Sequence, residues 1–309
     1  MSAPFRSGPV TVRVPATSAN LGPGFDSLGL ALALHDELTA EVAPRLTVEV
    51  EGEGAEDVPR DERHLVVRAL HAGLRAAGVE VPGVALRTRN VLPHGRGLGS
   101  SSAAIVGGLV LARGLLEDGS ALDDDLLLDL ATELEGHPDN VAPALLGGFV
   151  VSGTGTGADA RAFAVPSPVA PGVSAVVLVP PGAVATTAAR GLLPATVPHA
   201  DAATNAGRAA LLVVALGHRP DLLLRATEDR LHQEQREPAM PETLRLVHAL
   251  RADGVPAVVS GAGPTVLAFV GAGVGAAGID PQDVMDRGPR GWDVHHVDVG
   301  GSGAAVLAG

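Results

Sequence analysis

Val10, Val12 and Val14 alternate with Thr11 and Arg13, a two-residue period that predicts a strand ending at Pro15. Small residues then dominate Ala16 to Gly29, which read as a loop. Leu46 to Val50 and Val84 to Val91 alternate again as strands, with a helix expected between them over Arg63 to Ala77. From Ser101 to Leu116 the pattern becomes that of a small-residue helix. A second helix is predicted from Asp123 to Glu135. Acidic residues crowd its first turn, Leu126, Leu127, Leu130 and Leu134 form its apolar stripe, and Gly136 stops it. Gly, Ser, Thr and Pro crowd residues 152–157 and 166–172, the best candidate for a boundary, so domains of 1–165 and 166–309 are expected. Beyond it the pattern predicts a buried-type strand over Ala175 to Val179. Helices follow near Asp201 to Leu216, Pro220 to Gln233 and Pro241 to Ala252. Strands at Val255 to Ser260 and Thr265 to Val270 flank a glycine turn, and a helix near Pro281 and a strand near Val294 end the chain. Interleaved strands and helices point to an α+β protein in two lobes.

Composition narrows the chemistry. The 309 residues include 22 basic side chains, every one arginine, so any cation that meets a phosphate or carboxylate is an arginine or a metal. Aromatics make up 2% of the chain and tyrosine is absent, which argues against a stacking platform for single-stranded nucleic acid. A net charge of −13 argues against nucleic-acid and anionic-membrane partners. With no cysteine, disulfides, thiolate zinc sites and cysteine nucleophiles are excluded. No signal peptide and no apolar run of membrane-spanning length is visible, so a soluble, cytoplasmic protein is the expectation.

The strongest chemical signal is Pro93-His94-Gly95-Arg96-Gly97-Leu98-Gly99-Ser100-Ser101-Ser102-Ala103-Ala104, between a strand and a helix. Three alternate glycines let the backbone close on a ligand, and the helix behind offers unpaired N–H groups at its positive end. Serine hydroxyls there can donate to phosphate or coordinate Mg²⁺. A Walker loop is ruled out because it needs a lysine, and the G-x-G-x-G spacing differs from the G-x-G-x-x-G dinucleotide fingerprint. Taken alone, the segment also fits a plain glycine turn before a helix.

Pro93 to Ser101 resembles the phosphate loop of the GHMP kinases, the superfamily of galactokinase, homoserine kinase, mevalonate kinase and phosphomevalonate kinase. Pro15-Ala16-Thr17-Ser18-Ala19-Asn20-Leu21-Gly22-Pro23-Gly24-Phe25-Asp26 looks like the amino-terminal motif of homoserine kinases. Glu135-Gly136-His137-Pro138-Asp139-Asn140 is similar to the same family, and Ser260-Gly261-Ala262-Gly263-Pro264-Thr265 resembles the carboxy-terminal motif of the superfamily. The resemblance implies a lobe like the second domain of ribosomal protein S5 followed by a ferredoxin-like lobe, and often a homodimer. It implies ATP and Mg²⁺ as cofactors and L-homoserine as the small-molecule acceptor, with Pro93 to Ala103 and His64 at the nucleotide.

By the same resemblance Ser101 and Glu135 hold the metal, Glu135 being preferred to Glu133. Asn20, Asp26, His137, Asn140, Thr186, Arg190, Arg236 and Gly261 bind the acceptor. Arginine suits its carboxylate because the planar fork can grip both oxygens. Asp26 or Asp139 accepts the hydroxyl proton or orients the hydroxyl, with Asn140 beside them; the sequence does not choose. His64 stands where the family usually has Asn, Ser102 where Ala is usual and Ala262 where Ser is common. Another alcohol such as mevalonate as acceptor, or a catalytically silent ligand sensor, are the competing readings.

Overall fold

The computed structural model describes residues 4–157 and 160–307. In chain order these form β1 (Val10–Asn20), β2 (Gly24–Val42), β3 (Thr47–Gly52), α1 (Leu65–Ala76), β4 (Val84–Asn90), α2 (Ser100–Leu115), α3 (Asp124–Glu135) and α4 (Pro138–Leu146). There follow β5 (Phe149–Thr154), β6 (Ala162–Ser167), β7 (Ser174–Val179), α5 (Thr186–Gly191), α6 (His199–His218) and α7 (Leu223–Ala226). The chain closes with α8 (Pro241–Ala252), β8 (Ala257–Val259), β9 (Val266–Val270), α9 (Pro281–Met285), β10 (Asp293–Asp298) and β11 (Ala305–Val306).

The first sheet runs β11-β1-β2-β4-β3, with β5 and β6 continuing from the other half of β2. Its pairings are antiparallel except β3 with β4, which run parallel around the crossover helix α1. The second sheet is antiparallel in the order β10-β7-β9-β8. Both of its faces are covered, so β9 is buried throughout and shows no polar alternation. Leu267 and Phe269 enter the large core shared with the first sheet; Val266, Ala268 and Val270 enter a smaller core beneath α8 and α9.

Helix α2 lies at the centre of the first lobe, and twelve of its sixteen residues are buried. Glycines permit this. A Cβ on Gly107 would stand 2.2 Å from Leu38, and one on Gly108 would stand 2.5 Å from the carbonyl of Val66 in α1. Helix α3 starts where Asp123 accepts from the amide of Leu126 and stops at Gly136 in the left-handed conformation. That stop leaves Glu135 on the last turn.

Three readings of the pattern need correction. Strand β1 does not end at Pro15; a register shift between Pro15 and Ala16 lets the strand bend and continue to Asn20. The stretch Ala16 to Gly29 is therefore mostly hairpin, and its small residues serve close packing rather than a loop. A Cβ on Gly29 would stand 1.9 Å from the carbonyl of Asp139, so α4 sits directly on β2. The helix expected over Pro220 to Gln233 stops at Ala226, where Asp229 captures the amides of Leu231, His232 and Gln233 and forces a turn. Near the end the chain returns to the first sheet through β11, which pairs with β1.

Candidate active site

A cleft between the lobes, enclosing roughly 560 Å³, is lined by glycines of the Pro93–Ala104 loop, by Ser100 and Ser101, and by Glu135, His137, Asp139 and Asn140. Asn20, Thr186, Arg190, Arg236, Gly261 and Ala262 close its other side. A second, more apolar pocket of roughly 860 Å³ adjoins it through Gly95, Ser100 and Ser101. His64 and His94 line that second pocket, together with Leu38, Val58, Pro59 and Leu65.

The loop is held open in a single shape. Gly95, Gly97 and Gly99 all have positive φ. A Cβ on Gly97 would meet the carbonyl of Ser260 at 2.3 Å, and one on Gly99 would meet Thr17 Oγ1 at 2.0 Å. Ser260 Oγ lies 2.6 Å from the Gly97 carbonyl and 2.8 Å from Ser18 Oγ, so the carboxy-terminal glycine turn and β1 grip the loop from two sides. Behind it the N-terminus of α2 has no side-chain cap, leaving its first-turn amides available. Leu98, Ser102 and Ala103 are buried beneath the loop, and Pro93 is half-buried at its entry. The Arg96 guanidinium turns away from the cleft and donates to the backbone carbonyls of His94, Pro180 and Pro181.

Glu135 Oε1 accepts from both Ser101 Oγ at 2.7 Å and Ser102 Oγ at 2.9 Å. Glu133 is exposed and lies outside the residues lining either pocket. The Glu135 carboxylate and the Ser101 hydroxyl, which line the cleft, suit a hard divalent cation, which takes one or two carboxylates and completes its shell with phosphate and water. The buried Ser102 steadies the carboxylate from behind. Among the described residues no group of three histidine, aspartate or glutamate side chains is placed to hold a metal ion.

At the opposite end lie the charged side chains. Asp26 forms a two-pronged ion pair with Arg190, at 2.6 and 3.1 Å, which raises the pKa of the arginine. His137 Nδ1 lies 2.6 Å from Asp139 Oδ1, and this bond raises the pKa of the imidazole. Asn140 accepts from Thr17 through Oδ1. Asn20 donates to the Gly261 carbonyl at 2.9 Å and accepts from the Asp26 amide, joining the two lobes.

Arg236 differs from these. Only 1% exposed, it donates through Nη1 to the Gly261 carbonyl, its Nε is without a partner, and it makes no ion pair with a described carboxylate. Burial, aided by the nearby Arg190 cation, lowers its pKa to about 10. The carboxylates of Asp229, Asp26 and Asp139 oppose that shift from a distance, without an ion pair to this guanidinium.

Of the residues expected at the site, those of the acceptor set other than Asp26 line the cleft, and Asp26 is tied to it through Arg190 and Asn20. Sequence reasoning passed over Thr17, which fixes Asn140, and Asp36, which accepts from the amides of Val91 and Leu92 at the entry to the loop. It also passed over Asn205 and His232. Thr17 lies within the amino-terminal motif and His232 in the Leu231–Arg236 segment that carries Arg236, whereas nothing local marks Asp36 or Asn205.

The model of the GHMP kinases N terminal domain matches residues 64–148, and that of the GHMP kinases C terminal domain matches residues 211–279. The chain is 55% identical over 305 residues to the homoserine kinase of Streptomyces avermitilis, covering 98% of this chain and 97% of that one. It is likewise 55% identical over 307 residues to that of Streptomyces coelicolor, covering 98% and 96%. The crystal structure of homoserine kinase from Cytophaga hutchinsonii superposes with a TM-score of 0.81 at 26% identity, covering 98% of this chain and 99% of that one. The α+β, two-lobed fold read from the pattern is thus that of the GHMP kinases, and the chain belongs to the homoserine kinase family of that superfamily.

Proposed function

We propose that this chain transfers the γ-phosphoryl group of ATP to the side-chain hydroxyl of L-homoserine, forming O-phospho-L-homoserine on the route to threonine. The observation that carries the reading is Arg236, a buried guanidinium without a carboxylate, in one cleft with a glycine cradle and an uncapped helix N-terminus. One end of the cleft asks for a carboxylate and the other for phosphates. A small hydroxy amino acid spans the two, and the family relatives bear the name of such an enzyme.

In this reading the amides of Gly95 to Ser102 take the phosphates, and the adjoining apolar pocket with His64 and His94 takes the base. Glu135 and Ser101 would hold Mg²⁺, which supplies neutralisation of the charge on the transferring phosphoryl group. Arg236 and Arg190 take the acceptor carboxylate, while Asn20, Asp26, His137, Thr186 and Gly261 form the walls that orient it. Asp26 is engaged by Arg190 and Asp139 by His137, so neither carboxylate stands as an unpaired base. In this reading the chain works chiefly by alignment, with Asn140 directing the hydroxyl and Asp26 or Asp139 orienting it or taking its proton, as suits a phosphoryl transfer governed by positioning and charge. Residues 1–165 supply the nucleotide side and residues 166–309 the two arginines. The cytoplasm, where ATP is supplied, is the compartment this reading expects; among the described residues no helix is long and apolar enough to cross a membrane.

A coupled ADP-release assay with L-homoserine, L-serine, L-threonine and mevalonate side by side tests this. The expected result is Mg²⁺-dependent turnover with L-homoserine far above the others. A preference for mevalonate would move the chain to another alcohol. No turnover with any acceptor would favour a ligand sensor.

A further inference from the structure

Among the described residues Asn20, Leu21 and Asp26 are the non-glycine residues with positive φ: Asn20 ends β1, Leu21 begins the turn and Asp26 is the third residue of β2. Gly22, with φ of +88°, completes this left-handed run. Asparagine and aspartate tolerate such backbone; leucine does not, so the turn persists only where its surroundings impose it. The hairpin itself contributes little here, because its pairing register slips between Ala19 and Asn20.

What imposes the turn comes from the other lobe. The Gly22 carbonyl accepts from His232 Nε2 at 2.7 Å, and the Pro23 carbonyl accepts from Asn205 Nδ2 at 2.8 Å. His232 is 1% exposed and Asn205 4% exposed. Asn205 Oδ1 in turn accepts from the amide of Arg230, and Asp229 accepts from the amides of residues 231–233, so both donors are themselves held. The backbone fits tightly as well: a Cβ on Gly22 would meet the Thr227 carbonyl at 2.5 Å. Because Nε2 must carry the proton it donates to Gly22, Nδ1 is a bare lone pair, which accounts for its being buried without a partner. Burial keeps this imidazole neutral by lowering its pKa, against the opposing pull of the Asp229 carboxylate.

The turn is linked directly to the acceptor-binding cations. The Phe25 ring packs on the His232 ring, centroids 5.1 Å apart, and the guanidinium carbons of Arg190 and Arg236 lie 5.3 and 5.7 Å from the Phe25 centroid. Next along the chain, Asp26 grips Arg190. We propose that His232 and Asn205 are positioning residues of the acceptor site: by pinning the Gly22 and Pro23 carbonyls they set Phe25 and Asp26, and through them Arg190 and Arg236. The consequence for turnover rests on the function proposed above; the consequence for the turn does not.

Two measurements on the full chain test the proposal. In kinetics, His232→Leu and Asn205→Asp, each removing one donor, are expected to raise KM for L-homoserine by about tenfold and leave KM for ATP within about twofold. His232→Gln, which places an amide donor near the former Nε2, is expected to recover most of the loss. A purely structural role would lower the active fraction, so that kcat per total enzyme fell with both KM values unchanged; that outcome, or a parallel rise in both KM values, overturns the proposal. The second measurement is the crystal structure of Asn205→Asp, which replaces the donor with an isosteric acceptor, and of His232→Gln alongside it. The Asn205→Asp turn is expected to relax from the left-handed conformation at Leu21 and open the Asp26–Arg190 pair. An unmoved turn in Asn205→Asp overturns the proposal whatever the acceptor is. If the wild-type protein is inactive on L-homoserine while the turn moves in Asn205→Asp, the proposed function is overturned and the positioning role is not.

Discussion

Replacing Arg236 with methionine separates the cost of this side chain from its use. In the folded chain its pKa falls from the ordinary arginine range to about 10, which at ~1.4 kcal/mol per tenfold amounts to roughly 3 kcal/mol opposing the burial of the charged form. For a base whose folded pKa lies below the unfolded one, both states are protonated below pH 10. The cost is therefore present in full across the physiological range and relaxes only as pH rises above about 10 towards the ordinary arginine range. Methionine keeps most of the volume and abolishes the charge. The hydrogen bond to the Gly261 carbonyl is lost, worth about 1 kcal/mol, but that carbonyl still accepts from Asn20. The balance predicts a free protein more stable by about 1–2 kcal/mol, seen as a Tm higher by a few degrees. The same substitution removes a desolvated partner for the acceptor carboxylate, a loss of about 2–5 kcal/mol. Expressed as kcat/KM for L-homoserine, that is a fall of about thirty-fold to several thousand-fold, with KM for ATP little changed. Calorimetry and the coupled assay read the two effects separately. A lower Tm with kcat/KM within about threefold of wild type would refute the assignment, because Arg236 would then be a structural cation.

Gly97→Ala sets a side chain both into left-handed backbone and against the Ser260 carbonyl 2.3 Å away, so ATP binding measured by titration calorimetry is expected to be lost or weakened by at least about tenfold. Ser102→Ala leaves Glu135 held by Ser101 alone. When Ser101 is drawn to a metal nothing fixes the carboxylate, so the Mg²⁺ concentration for half-maximal activity is expected to rise by about three- to tenfold at unchanged Tm, and no rise would assign Ser102 to packing. The His137–Asp139 pair raises the folded pKa of the imidazole above 6.5. It therefore contributes stability that is complete below pH 6.5 and is lost as pH rises through the raised value. His137→Gln is expected to flatten that part of the curve of unfolding free energy against pH, and a slope identical to wild type would count against the pairing.

Much of the site was legible because its chemistry is written locally. Alternate glycines before a serine-rich helix need no tertiary partner to read as an anion cradle, and Asp123 and Gly136 mark the ends of α3 by rules that act within one turn. The hairpin carrying Asn20 and Asp26 was read as a loop for a physical reason. The second half of β1 is buried throughout, packed by small residues under α2 and α4, so the polar alternation that announces a strand is missing. The turn after α7 was hidden likewise, since Asp229 ends the helical pattern by a side-chain bond that periodicity does not record.

The order of residues by itself pointed to the kind of ligand: with no lysine and three alternate glycines before a serine-rich helix, a phosphate would be met by backbone amides, hydroxyls, and an arginine or a metal. It also determined that arginine would meet any carboxylate. Which arginine stands buried without a partner, which of Glu133 and Glu135 meets the serines, and what holds the left-handed turn were decided by tertiary structure alone. Each depends on contacts such as Asn20 with Gly261, 241 positions apart, or Asn205 with Pro23, 182 apart. Burial, desolvation and the choice of hydrogen-bond partner are properties of the packed chain, and the local pattern of side chains does not contain them.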